Sequence, residues 1–179
     1  MYVNQSSALF ARFDAAEFGL CVRMNGSCDH RYIRTFFRII SRLGDGVAWY
    51  LLMLGLPACF GERGLVATGV LALTGAVGLL LYKALKSRLV RERPCITFES
   101  VVAATRALDR YSFPSGHTLH AVAFSCVAIH YFPVLAWVLV PFTVLIAASR
   151  VILGLHYPSD VCAGALLGAG LARIAVTVF

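Results

Sequence analysis

The sequence predicts an all-α, polytopic membrane helix bundle of five to six transmembrane helices with an amphipathic helix at its N-terminus. Three observations predict it. Of 179 residues, 59% are hydrophobic and only 14% charged, with a mean hydropathy of +0.77, whereas soluble domains are about a quarter charged. Apolar runs long enough to cross a bilayer recur along the chain. The charges that remain gather between those runs, and a charge beside a bilayer needs a reason to be there.

Taken in order, residues 1–35 read as an interfacial segment and residues 36–179 as the membrane-embedded domain. Residues 5–24 mix Ala8, Leu9, Phe10, Phe13, Phe18 and Leu20 with Arg12, Asp14, Glu17 and Arg23, which suits a helix lying on the membrane surface. A shallow additional span is the rival reading. The same charges interrupt any signal-peptide core. The first span runs from Gly46 to Phe60 and extends back through FFRIISRL, and the second covers Leu65 to Tyr82. His117 to Phe132 and Val134 to Ser149 follow, parted by Pro133, which marks the turn of a helical hairpin. The last span, Asp160 to Phe179, begins just after Pro158, a residue suited to a first helical turn. It carries GALLG, whose small residues at Gly164 and Gly168 let helices approach closely.

Some classes are excluded early. The net charge of +7 comes from basic residues that flank apolar spans, so phosphate-bearing lipid headgroups account for it better than nucleic acid does. Six cysteines include no CxxC pair and give no metal pattern. Cys59, Cys126 and Cys162 lie in or beside apolar runs, where a thiol acts as a small hydrophobe. Cys21 and Cys28 can pair only if their side faces an oxidising compartment, which the sequence leaves open.

Three polar clusters remain: KSRLVRERP (86–94), SFPSGH (112–117) and SRVILGLHYPSD (149–160). Counting the spans between them puts all three at one membrane face. Lys86, Arg93 and Arg150 suit a phosphate, the arginines as forked donors and the lysine as a point charge. The PSG turn before a helix adds backbone N–H groups at the positive end of its dipole. Of the two histidines, one can act as nucleophile while the other protonates a leaving oxygen. Asp160, one helical turn after His156, can orient that imidazole. Lys83, Arg88 and Arg91 read as flank charges at the interface. His120 and Asp45 are possible pocket residues, and His30 and His130 carry no assignment.

K-x6-R-P at Lys86 to Pro94, P-S-G-H at Pro114 to His117 and S-R-x5-H-x3-D at Ser149 to Asp160 resemble the three-part signature of the type 2 phosphatidic acid phosphatase superfamily. The match covers residues 36 to 179, so the domain there is expected to be a phosphatase. The resemblance implies a membrane-embedded enzyme with no metal and no cofactor. His156 is then the nucleophile that forms a phosphohistidine, His117 the acid and later the base, and Asp160 the residue that orients His156. Lys86, Arg93, Arg150, Ser115 and the Gly116 backbone hold the phosphate.

The implied partners are a lipid phosphate or diphosphate substrate and the membrane lipids around it. Undecaprenyl diphosphate ranks first among substrates because small bacterial members of the superfamily commonly recycle it. Phosphatidylglycerophosphate, phosphatidic acid and lipid A phosphate follow, with transfer to another lipid as a variant outcome. Soluble vanadium-dependent haloperoxidases share the pocket but not the spans. A lipid-binding or transport protein with a degenerate site is the non-enzyme alternative, and the intact His117, His156 and Asp160 weigh against it. The location expected from bacterial relatives is the inner membrane with the site facing the periplasm. The basic residues conflict with this, because the positive-inside rule puts their face in the cytoplasm. A cysteine at position 106 would report the side.

Overall fold

A computed structural model of the chain describes residues 5–105 and 110–179, with side chains from Phe10 onward. Residues 1–4 of the expected interfacial segment, the side chains of Ala8 and Leu9, and position 106 lie outside the described residues.

Helix α1 (Gln5–Gly26) leads through a short 3-10 turn to α2 (Arg31–Arg42). A π-helical turn, Leu43–Val47, joins α2 to the long α3 (Ala48–Arg88). The short α4 (Pro94–Thr97) precedes α5 (Gly116–Tyr131), α6 (Ala136–Ile152) and α7 (Pro158–Val178). Three helical stretches among the described residues are long and apolar enough to cross a membrane: Arg31–Arg88, Pro133–Ile152 and Pro158–Val178.

The first stretch is not a single rod. At Gly61 the backbone takes φ 57°, ψ −136°, a region that side chains with a Cβ seldom enter. The chain reverses there, and the arm after Gly61 runs back along the arm before it. Thr68 Oγ1 donates to Met53 O at 2.9 Å across the two arms. At Gly64 a Cβ would stand 2.1 Å from the Leu56 carbonyl oxygen, so only glycine permits this approach. Residues 46–60 and 65–82, expected as spans, fall on these two arms, while the expected backward extension through 36–43 belongs to α2 up to Arg42, set off by the π-helical turn with Gly46 at φ 145°.

Helix α5 has 16 residues, about 24 Å at 1.5 Å per residue, less than the roughly 30 Å of a hydrocarbon core. It is the enclosed centre of the bundle, packed by α3, α6 and α7. Its Phe124 and Val127 join Trp49, Leu71 and Ile146 in the main apolar core. The close α5–α7 contact depends on the GALLG glycines. A Cβ at Gly164 would lie 2.5 Å from Ser115 O, and one at Gly168 would lie 2.3 Å from Leu119 O. The outer faces stay apolar, with Trp137 on α6 86% exposed and Leu166 on α7 75% exposed.

Helix α1 turns its two acidic residues and Asn25 inward, while Arg12 and Arg23 are exposed. Asp14, Glu17 and Asn25 bond to the rest of the chain, while Phe13, Phe18 and Leu20 point outward. Cys21 and Cys28 on this side are buried free thiols.

Candidate active site

The turn between α6 and α7 builds the centre of the site. Helix α6 ends at Ile152, and Gly154 at φ +74° turns the chain back. The N–H groups of Leu155 and His156 then both donate to the Arg150 carbonyl at 3.1 Å, which folds His156 over the end of α6. Pro158 starts α7, and in its first turn Asp160 Oδ2 accepts the Tyr157 N–H at 2.9 Å. The result sets His156 Nδ1 3.6 Å from Asp160 Oδ2.

On the other side of the ring, His156 Nε2 lies 3.2 Å from Arg93 Nη1. A guanidinium only donates, so Nε2 is the acceptor and Nδ1 carries the proton that faces Asp160. Arg93 is itself fixed, because Nη1 also donates to Leu155 O at 2.7 Å. Burial, followed by the nearby cations Arg150 and Arg93, pushes the His156 pKa well below its ordinary 6.5. The imidazole is therefore neutral, with a free-electron-pair nitrogen aimed at a buried cation. The charges of Arg150, Arg93, His117 and Lys86 all act on this ring. The three polar clusters therefore meet at one place.

The remaining expected residues stand at helix ends and turns around this ring. Arg150 is buried and donates to Ser41 Oγ on α2. Lys86, in the last turn of α3, donates to Tyr82 Oη and sits 4.7 Å from that ring's centroid. Ser115 precedes the first turn of α5, and its N–H donates to Asp160 O at 3.1 Å. A Cβ on Gly116 would come within 2.9 Å of the Tyr82 ring, so the start of α5 passes directly beside the end of α3. His117 Nε2 pairs with Asp45 Oδ1 from the π-helical turn. His120 braces α5 internally, its Nδ1 2.8 Å from Gly116 O. Among the described residues no three His, Cys, Asp or Glu side chains converge as a metal-ligand set.

A cavity of about 700 Å³ opens beside this mouth. Asp45, His117 and His120 stand on its lining, and Trp49, Ala76 and Phe124 belong to its apolar wall. The volume lies in the range of small-molecule and cofactor sites.

Arg91 is the residue whose sequence reading needs correction. It was expected as an interfacial flank charge, yet it is only 1% exposed. Its guanidinium donates to Asp160 Oδ1 at 2.6 Å and to Ser159 Oγ at 2.7 Å. It also reaches Asp14 Oδ1 at 2.8 Å and Glu17 Oε2 at 3.1 Å on α1. One signal was available in the sequence: Asp14 and Glu17, three apart on α1, share a face and call for a cation.

Two arginines and a neutral histidine gathered under one rim, between helices of membrane-spanning length, define a helical membrane protein built to handle an anion. Sequence comparison places it within a family. The chain belongs to the PAP2 superfamily, whose sequence profile matches residues 64–179.

Among curated proteins, it is 38% identical over 69 residues to an undecaprenyl-diphosphatase of Sulfolobus acidocaldarius, covering 38% of this chain and 34% of that protein. It is 37% identical over 68 residues to a lipid A 1-phosphatase of Rhizobium johnstonii, covering 38% of this chain and 28% of that one. The matched region thus spans about a third of these relatives. Among solved structures, Aquifex aeolicus LpxE superposes with a TM-score of 0.75 at 26% identity, covering 90% of this chain and 95% of that one. A PAP2-type phosphatidylglycerolphosphate phosphatase of Bacillus subtilis superposes with a TM-score of 0.77 at 22% identity, covering 97% and 90%, a likeness of fold.

Proposed function

We propose that the protein is a membrane-embedded lipid phosphatase that releases phosphate from a lipid phosphate or diphosphate through a phosphohistidine on His156. The observation that carries this reading is the polarity of the His156 ring, with Nε2 turned to Arg93 and Nδ1 turned to Asp160. A substrate phosphate enters between Arg93, Arg150 and Lys86, whose charge matches the three equatorial oxygens of the transferring group. The Nε2 lone pair forms the N–P bond as the bond from phosphorus to the lipid oxygen breaks. Asp160 holds the proton on Nδ1 and stabilises the charge the ring gains.

His117 gives its proton to the departing oxygen. Asp45, paired with His117, orients that ring. His117 then takes a proton from water, whose oxygen attacks phosphorus and breaks the N–P bond, returning both histidines to their starting state. The lipid tail occupies the cavity lined by Trp49, Ala76 and Phe124.

Undecaprenyl diphosphate is the substrate we rank first, supported by the undecaprenyl-diphosphatase among the relatives. Lipid A phosphate and phosphatidylglycerophosphate follow on the same kind of support. We also propose five spans, formed by the two arms of the 31–88 stretch with α5, α6 and α7. In this arrangement α1 lies at the interface of a bacterial inner membrane and the site opens to the periplasm. Arg110, exposed beside the site, tests the side: an Arg110→Cys variant should react with an impermeant maleimide in intact cells, and protection there would reverse the orientation.

The test of function is phosphate release by detergent-purified protein, with EDTA present, from a panel of undecaprenyl diphosphate, phosphatidylglycerophosphate, phosphatidic acid and a lipid A phosphate. Release that persists in EDTA and vanishes in His156→Ala is the expected result. No release from any lipid by folded protein would overturn the phosphatase reading.

A further inference from the structure

Arg91 has no part in the phosphate clamp described above, yet it is among the most enclosed side chains of the chain. Its guanidinium lies 3.8 Å from the Tyr157 ring centroid and 4.9 Å from that of Phe10. Within this aromatic bracket it meets three carboxylates. Asp160 comes from α7, and Asp14 and Glu17 come from α1. Glu17 also accepts the Ser159 N–H at 2.9 Å and the Ser159 hydroxyl at 2.9 Å.

Further along α1, Asn25 Nδ2 donates to Ile152 O at 3.0 Å and to Val102 O at 2.9 Å, and its Oδ1 accepts the Val102 N–H at 2.8 Å. Helix α1 thus grips both ends of the turn that carries His156. The grip is polar and buried, where a broken contact leaves charge without a partner.

We propose that Arg91 is a positioning residue for Asp160, and that α1, through Asp14 and Glu17, is part of the support that aims His156. Asp160 has two oxygens to place. Oδ2 is taken by the Tyr157 N–H and faces His156, so the rotation of the carboxylate depends on what holds Oδ1: Arg91 donates to it at 2.6 Å, and the Ser112 hydroxyl also bonds to the carboxylate. Arg91 also sets how much negative charge His156 sees. The groups facing the ring are Asp160 from α7, Arg93 from the segment before α4, Arg150 from α6, His117 from α5 and Lys86 from α3. The α1 carboxylates act on it through Arg91, which they share with Asp160.

This role rests on the phosphohistidine reading for its effect on turnover, but its electrostatic part does not. The experiment therefore has two readouts. In detergent, ¹⁵N-histidine NMR titrates His156 in wild type, Arg91→Gln, Arg91→Lys and the double variant Asp14→Asn/Glu17→Gln. The same proteins are assayed for kcat, KM and pH profile on the preferred lipid.

With Arg91→Gln, Asp160 loses its counter-charge and the His156 midpoint moves up. In the α1 double variant two negative charges disappear and the midpoint moves down. For Arg91→Gln, kcat falls about 10- to 100-fold, the range typical of partners that orient a functional histidine, while KM stays within about twofold. Arg91→Lys, which keeps the charge without the fork, recovers part of the loss. If Arg91→Gln does not fold, the double variant and Arg91→Lys still test the sign. An unmoved His156 midpoint, or a wild-type kcat in the folded fraction, would overturn the proposal. Absent turnover in wild type would overturn the functional reading instead, with the titration still decisive here.

Discussion

The two histidines of the mouth sit in unlike surroundings. His156 lies in the α6–α7 turn, buried, with Nε2 held by Arg93 and Nδ1 facing Asp160 across 3.6 Å. His117 stands at the start of α5, on the wall of the cavity, partly open and paired with an Asp45 that is itself 46% exposed. Under the proposed mechanism, the difference follows from what each has to do. A nucleophile must meet one atom, phosphorus, from one direction, so a rigid and dry setting favours it. A proton donor must serve leaving groups that carry different tails, and a site at the edge of a groove can do so. The proposed mechanism thus puts the chemistry in the turn and substrate choice in the groove.

The sharpest way to break this comparison is to remove the nucleophile. His156→Ala should lower kcat by more than about 10⁴-fold on every substrate, and rapid-quench trapping should show no acid-labile phosphoenzyme. Asp160→Asn comes next. It keeps the shape but loses the charge that fixes the Nδ1 proton, so kcat should drop about 10²- to 10⁴-fold with KM little changed.

His117→Ala should divide substrates by leaving group. The expected loss is about 10²- to 10⁴-fold on a lipid phosphate and much smaller on p-nitrophenyl phosphate, whose leaving oxygen needs little protonation. Equal losses on both would remove the acid role. The smallest effect belongs to the groove: Ala76→Trp should raise KM about tenfold for long-tailed lipids and leave a short, soluble phosphate ester unaffected. If kcat on the soluble ester also falls, the separation of groove from turn fails.

Acidity sharpens the same contrast. Because burial and neighbouring cations depress the His156 pKa, this ring stays neutral as pH falls through 6.5, and the acid limb it sets on kcat/KM should lie below that value. The sign for stability follows from the same shift. The unfolded chain binds the proton first, so this histidine's contribution is complete above 6.5 and is lost as pH falls toward its folded midpoint. Thermal unfolding followed from pH 7.5 to 5 should show decreasing stability, and His156→Gln should flatten the slope.

Much of the site could be read along the chain because its parts are local. His156 and Asp160 are one turn apart at a helix start, and that spacing alone brings an imidazole near a carboxylate. The PSGH stretch places Ser115 just before α5 and Gly116 and His117 in its first turn, and Arg150 falls in the last turn of α6. Helix geometry sets each of these without knowledge of the rest. The glycines of GALLG were readable on the same ground, since small side chains four apart leave a groove on one helix face.

Arg91 was not readable in this way. In the sequence it is one of several cations in a basic run, indistinguishable from Arg88 in chemistry. What separates them is a partner 69 residues away on α7 and others 77 and 74 residues away on α1, brought close only when the helices pack. Ser41 beneath Arg150, at a separation of 109 residues, is of the same kind. The sequence by itself determined the apolar runs and the three motifs that carry the proposed reacting groups, because hydropathy and helical spacing act over a few residues. Only the tertiary structure decided which cations gather at His156, that Arg91 is buried among carboxylates, and that the N-terminal helix faces its acids inward, because burial removes water and leaves each charge to the partners that packing supplies.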